Sequence, residues 1–432
     1  MTEGDVTSGG ALDVARALDW RLERHALAPV AGTDAVDVVR RVVAQRAWPR
    51  EAAEASVAVR LAVPLTVPAG GDDGAADAGT LDRALAAGTL VRAYAFRGGS
   101  YLMAPDDAAD LLTVRCTTRI WETARYQAQV HFALADWAPL RAAVRDALAD
   151  GPLIRPELAD HLARTPDLAH LAQAAASGAG SDALIKPLHW WRDVCFGPDR
   201  DGLTTFRLAT TAPSDLEESL SDAAIDAAGR RSVLRYLASY GPATWANLDY
   251  WLTEGLSVPR RRLRTWVAEL GDQVTEVMLD GEPRLVRSAD LEQMRGVAGV
   301  RPADSGGCGG TAGAGGRVGG GSAGGSSFDG TAVVRLLPAY DPWTLGPGTA
   351  DALVVPPARR ALATRGSPLV IRDGIVTGAW RRVRERGRTR IVVTWFAESG
   401  AAPEAALAAE VARLGRALGV ASELELELAV EP

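Results

Sequence analysis

The chain has 432 residues, 47% hydrophobic and 23% charged, an ordinary globular composition long enough for three or four domains of about 100–150 residues. Its net charge of −7 excludes a bulk positive field, so a nucleic-acid surface would have to be a local patch. Cys116, Cys195 and Cys308 have no paired spacing and the histidines are dispersed, which argues against a disulfide framework, a zinc site or any metal cofactor and fits a reducing cytoplasm.

The chain opens on MTEGDVTSGG, acidic and without the apolar core of a signal peptide, and no later window approaches the ~20 apolar residues of a membrane span. Arg40 to Leu61, RRVVAQRAWPREAAEASVAVRL, reads as an amphipathic helix running into a Trp48-Pro49 break, with Gln45 and Arg46 beside it. Asp34 and Asp37 suit the first turn of that helix. Thr89 to Pro105 reads as a hairpin turning at Gly98-Gly99. Gln127 and Gln129 follow on what reads as an ordinary helix surface. ALADGPLIRPELADHL (Ala147 to Leu162) and LASYGPATWANLDYWL (Leu237 to Leu252) echo each other, Leu158 and Leu162 answering Leu248 and Leu252. Each reads helix, Gly-Pro turn, helix; Gly151 and Gly241 suit a positive φ, and Thr244 can cap its helix. Hairpins close both units, at Cys195 to Ala209 and at Val274 to Arg287, the second turning at Asp280-Gly281.

Helix-turn-helix followed by a hairpin is the winged-helix plan. We expect an α+β chain with three such units over residues 1–135, 136–212 and 213–300, then a Gly-rich linker at 301–330. Residues 331–432 read as a small β-barrel with one helix, its hairpins turning at Asp373-Gly374 and Arg386-Gly387.

Lys186 is the sole lysine, so the positive charge is nearly all arginine. It reads as a surface residue before Pro187, the alternative being a Schiff-base amine. Strand parity suggests that Arg382, Arg384, Arg388 and Arg390 form one face of four guanidiniums, for phosphate contact or as a charged edge strand. Arg261 and Arg262 sit at a helix start, an unfavourable place for cations unless phosphates offset them. Trp48, Trp190 and Trp191 could stack on bases; core packing is the other reading.

Five separated segments, RGGSYLMAPDD, DGPLIRPELADHL, YGPATWANLDYWL, LLPAYDPWTLG and VIRDGIVTGAWRR, resemble in order the tandem winged-helix DNA-binding family that includes the AlkZ-like alkylpurine DNA glycosylases. The resemblance implies a clamp of three winged helices with a C-terminal β-barrel, and a monomer whose partner is duplex DNA carrying alkylated purines. The family's catalytic Gln-x-Gln or Gln-x-Asp motif falls on the Arg40 to Leu61 stretch. In one register Gln45 takes the first catalytic position and Ala47 replaces the second; one residue earlier, Ala44 and Arg46 replace both. Tyr101 stands where the family has a histidine in the first wing. The expected function is excision of bulky N7-alkylpurines, as in self-resistance to a DNA-alkylating antibiotic. Gln45 would position water, and Arg46, Trp48, Tyr101, Arg261, Arg262, Arg382, Arg384, Arg388 and Arg390 would contact DNA. One rival is a DNA-binding protein or regulator that kept the clamp and lost the glutamines; another is a protein-binding scaffold.

Overall fold

The computed structural model describes residues 8–62, 80–129, 132–178, 182–296, 332–385, 388–417 and 422–429. The expected linker at 301–330, Cys308 and the Arg386-Gly387 turn lie outside them. In chain order, β1 (Ser8–Leu12) leads into α1 (Val14–Arg24), capped by Asp13, which accepts the Arg16 N–H at 3.0 Å. Next, α2 (Ala35–Val42) buries Val38, Val39 and Val42. Asp34 caps it through the Asp37 N–H at 2.8 Å, and Asp37 pairs with Arg41, so both aspartates serve the helix start. Then come β2 (Gln45–Arg46), α3 (Arg50–Ala58) and α4 (Thr80–Ala86), and the hairpin of β3 (Val91–Tyr94) and β4 (Ser100–Met103). After α5 (Pro105–Arg115), the second unit comprises α6 (Trp137–Ala147), β5 (Leu153–Ile154), α7 (Arg155–Arg164), β6 (Val194–Phe196) and β7 (Thr205–Leu208). The third contains α8 (Asp222–Tyr240), α9 (Arg260–Glu269), β8 (Val274–Leu279) and β9 (Glu282–Arg287). Its hairpin turns through Asp280 (φ 51) and Gly281 (φ 74), the two positive-φ centres that an Asp-Gly turn supplies. The C-terminal part holds β10 (Val334–Leu337), β11 (Leu369–Arg372), β12 (Ile375–Glu385), β13 (Arg388–Phe396), α10 (Glu404–Ala417) and β14 (Ser422–Ala429).

The α+β class holds, but the hairpins do not stand as independent wings. The first two join one six-stranded sheet in the order β2-β4-β3-β6-β7-β5, through a single Arg92–Phe196 pairing between β3 and β6. The third pairs in parallel with β1 from the far N-terminus, in the order β1-β8-β9.

The expected barrel is instead an open five-stranded sheet, in the order β10-β11-β12-β13-β14. The reason lies in its last connection. Strand β14 runs parallel to β13, which requires a crossover, and α10 supplies it. That helix packs Leu407, Val411 and Leu414 with Leu336 and Val393 of the sheet, and its Glu410 accepts the Leu336 N–H at 3.2 Å.

Gly151 has the expected positive φ of 140, but Gly241 is extended at φ −63. Glycine is needed at 241 for close approach, because a Cβ there would lie 2.6 Å from the Leu237 carbonyl oxygen. Thr244 caps as expected, reciprocally with Asn247.

Helix α1 is the tie between distant parts. Leu18 and Leu22 pack with Trp343 and Val393, while Ala17 and Trp20 pack with Val277 and Val286. Between them the buried Arg21 guanidinium donates to the carbonyls of Tyr240 at 2.7 Å and Pro242 at 3.2 Å, where the α8 chain ends. Among the described residues no helix is long and apolar enough to cross a membrane, and no group of three or more His, Cys, Asp or Glu could hold a metal ion.

Candidate active site

Helix α2 ends at Val43, a β-branched residue held at φ 64, and the chain turns into the two-residue strand β2. There Gln45 pairs with Leu102 and Arg46 with Tyr101. Side chains alternate along a strand, so neighbours go to opposite sides. Ala44 and Arg46 line a cleft, while Gln45 points into the interior and is only 1% exposed. Its Oε1 accepts from Ser56 Oγ at 2.8 Å and its Nε2 donates to the Arg46 carbonyl at 3.1 Å.

Behind Gln45 lies a buried ion pair that joins the first unit to the C-terminal part. Arg60 donates to both oxygens of Asp341, at 2.6 and 2.8 Å, with the two side chains 0% and 1% exposed. Ser56 Oγ lies within 2.7 Å of Asp341 and 2.8 Å of Gln45 but carries one proton. That proton can serve either acceptor, and the Gln45 amide, facing Ser56 on one side and the Arg46 carbonyl on the other, does not open onto the cleft.

The cleft itself, about 20 Å³, is lined by Arg46, Arg97, Tyr101 and Tyr340 over a floor that includes Ala44 and Gly346. That is the room one water needs and far less than a purine needs. Arg46 lies 4.3 Å from the centre of the Tyr340 ring and donates through Nε to the Trp48 carbonyl at 2.9 Å. Arg97 lies 3.8 Å from the Tyr250 ring and donates to the Tyr250 carbonyl at 2.7 Å. Among the described residues neither has a carboxylate in ion-pair contact. The contrast is a cavity of about 500 Å³ lined by Arg24, Arg40, Arg41, Arg235 and Arg287. Every one of those arginines is matched there, to Asp290, Asp106, Asp37, Asp107 and Asp290 respectively. Burial raises the Tyr101 phenol above its ordinary value, against the opposing pull of Arg46 and Arg97, so it stays protonated at neutral pH. Three non-glycine residues around the cleft hold positive φ: Val43 at 64, Arg97 at 50 and Tyr340 at 59. Such conformations cost roughly 1–3 kcal/mol each and collect where a site dictates geometry.

Of the residues singled out in the sequence, the structure brings Arg46 and Tyr101 into this cleft, with Gln45 behind it; Trp48, 69% exposed, is tied to Arg46 through its carbonyl. The others lie apart. Arg261 is exposed on α9, whereas Arg262 is tied to Asp226 at 2.6 Å and Asp222 at 3.0 Å. The expected face of four guanidiniums is not formed. Arg382 pairs with Ile391 and Arg384 with Thr389, while Arg390 pairs with Val383 and Arg388 with Glu385. Residues opposite one another share a face, so Arg382 and Arg384 stand on one side and Arg390 on the other. Glu425 and Glu427 from β14 then pair with Arg390 and Arg381. Trp190 and Trp191 are core residues, and Gln127 spends its amide on the Glu122 carbonyl at 2.9 Å. Lys186 lies 5.2 Å from the Tyr94 ring, outside the lining of the cleft. Sequence reading missed Arg97, Tyr250, Tyr340, Ser56, Arg60 and Asp341. Residues this far apart in sequence carry no common spacing, and the segments RGGSYLMAPDD and LLPAYDPWTLG were informative only as a resemblance.

The AlkZ-like DNA glycosylase family model matches residues 74–417. The chain is 29% identical over 406 residues to the interstrand DNA cross-link repair glycosylase of Streptomyces sahachiroi, covering 93% of this chain and 95% of that protein. The solved structure of the Streptomyces sahachiroi DNA glycosylase AlkZ shares the fold with a TM-score of 0.75 at 26% identity, covering 97% of this chain and 100% of the other. With the family model matched across most of its length and the fold shared nearly end to end, the chain belongs to the AlkZ-like DNA glycosylases.

Proposed function

We propose that the enzyme excises bulky N7-alkylpurines from duplex DNA, acting as a monomer at the cleft of Arg46, Arg97, Tyr101 and Tyr340. The observation that carries this is a pair of arginines that have no carboxylate partner among the described residues, mounted on aromatic rings around a strained, water-sized cleft. An anionic polymer can meet those cations without displacing an aspartate. The exposed Trp48 offers an apolar face to bases, and an aromatic face favours a cationic alkylpurine over a neutral one.

The chemistry needs little from the protein. A 7-alkylpurine carries a positive charge in the nucleoside and leaves as a neutral base. Water attacks C1′, the C1′–N9 bond breaks, and the proton of the attacking water passes to solvent. The enzyme's task is to hold that water against an oxocarbenium-like sugar. A cleft of about 20 Å³ suits the water and leaves the bulky base outside. In this reading Gln45 acts from behind, fixing the Arg46 carbonyl and the strand that forms the cleft wall. The relative named for cross-link repair supports bulky lesions as the substrate class. An activity of this kind would serve self-resistance to a DNA-alkylating antibiotic.

The rival reading, DNA binding without catalysis, draws on Ala47 at the second motif position and on the engaged Gln45 amide. Duplex carrying a single N7-alkylguanine, incubated with the enzyme and then treated with alkali, separates the two. Strand scission at the lesion supports excision; tight binding without scission supports the rival.

A further inference from the structure

Arg46 and Arg97 reach the cleft from different segments, yet each guanidinium rests on a tyrosine, and each tyrosine rests on a glycine. Tyr340 carries Arg46, and a Cβ at Gly366 would lie 2.0 Å from Tyr340 Cε1. Tyr250 carries Arg97, and a Cβ at Gly348 would lie 2.9 Å from Tyr250 Cδ1. Real Cβ atoms do not come that close, so both rings occupy space that only glycine leaves. Gly366 and Gly348 also hold φ of 74 and 91, so a side chain there would be strained as well as crowded.

The donors are only partly used. Arg46 spends Nε on the Trp48 carbonyl and Arg97 an amino group on the Tyr250 carbonyl, which fixes each fork while leaving other N–H groups for a ligand. A guanidinium fixed in this way loses less freedom when it binds an anion. Tyr101 lines the same cleft, and its phenol takes one further hydrogen bond from Arg97. The ligand this arrangement suits is an anion with two bridged charges, as in consecutive phosphodiesters.

We propose that Arg46 and Arg97 form a paired phosphate clamp, and that Gly366 and Gly348 set its reach by seating the tyrosines that carry the guanidiniums. The proposal rests on the cleft being the DNA site. Tyr340, Tyr250 and their glycines are positioning residues.

The test is the salt dependence of binding to a duplex with a single tetrahydrofuran abasic analogue. Each lost phosphate contact lowers the slope of log affinity against log salt by about 0.9. Arg46→Gln and Arg97→Gln should each lower it by about that amount, and the double variant by about 1.8. Tyr340→Leu and Gly366→Ala should lower it by about 0.9 although Arg46 is still present, while Tyr340→Phe, which keeps the ring, should restore the parent slope. A parent slope in the double variant overturns the clamp. A parent slope in both Tyr340→Leu and Gly366→Ala overturns the seating. The Tyr340 pair adds no atoms at the seat, so it carries the test if Gly366→Ala does not fold. Release of 7-methylguanine by the parent, run alongside, reports separately on the glycosylase reading: release with an unchanged double-variant slope sinks the clamp alone.

Discussion

Replacing Asp341 by alanine should destabilise the protein by about 3–5 kcal/mol, the cost of leaving one member of a buried ion pair without its partner. The magnitude follows from three features. Arg60 and Asp341 are 0% and 1% exposed, so water cannot replace the lost carboxylate. Two guanidinium donors at 2.6 and 2.8 Å lose their acceptor at once. Asp341 also accepts the Trp343 N–H at 2.9 Å at the start of a short helix, a cap typically worth about 1 kcal/mol. The assay is urea unfolding followed by tryptophan fluorescence. The double variant Arg60→Met with Asp341→Leu should recover most of the loss, because removing both charges removes the uncompensated one. A loss below about 1 kcal/mol, the net worth of an ordinary hydrogen bond, would show that the buried pair does not hold the two parts together. So would a double variant no more stable than the single one.

Gln45→Ala should cut single-turnover excision on the order of 10²-fold, the effect of a displaced wall rather than a lost contact, with DNA affinity nearly unchanged; Gln127→Ala and Gln129→Ala should excise at the parent rate, and a dead Gln127→Ala enzyme would move the site. Burial pushes the His189 imidazole from its ordinary 6.5 down to about 3, so between those values the unfolded chain binds a proton that the native state does not. Stability should therefore fall as pH drops through that window, and His189→Phe should flatten the acid limb of a stability–pH curve; an unchanged limb would show that the histidine does not set it. Trp48→Ala should leave the unfolding midpoint unchanged, since the side chain is 69% exposed, yet weaken binding to lesion DNA by about 1–3 kcal/mol if a base stacks there. Excision should survive EDTA; loss restored by zinc would reveal a metal site.

The recurring helix-turn-helix units and their hairpins could be read from the sequence because each is local. Asp280-Gly281 dictates a turn whatever surrounds it, and Thr244 caps the helix that begins beside it. What joins those units could not be read. Leu18 and Trp20 lie two positions apart on α1, yet one packs on the C-terminal sheet and the other on the third hairpin. Two positions apart on a helix they point to opposite sides, and nothing local says what each side meets. The barrel expectation failed for a related reason, since strand periodicity does not reveal that β14 runs parallel to β13. Parity misled at the basic hairpin. Arg382 and Arg390 look equivalent by count, but the register places them on opposite faces. At the cleft, the sequence singled out the stretch that holds Gln45 and Arg46, and strand alternation then places the glutamine inward and the arginine on the cleft. Arg97 and Tyr340 had no local signal, because what marks them is a partner about 150 to 300 residues away in sequence (Tyr250 for Arg97, Arg46 for Tyr340) and, among the described residues, the absence of a carboxylate.

If this cleft frees an alkylated base from DNA, mass spectrometry of the products will detect that base. Enzyme in excess over duplex carrying one bulky N7-alkylguanine should free one equivalent of the intact adducted base and leave an abasic site, and Arg46→Glu, which places a negative charge where a phosphate should sit, should abolish release. A parent enzyme that binds the same duplex tightly and frees no base would show that the cleft binds DNA without excision.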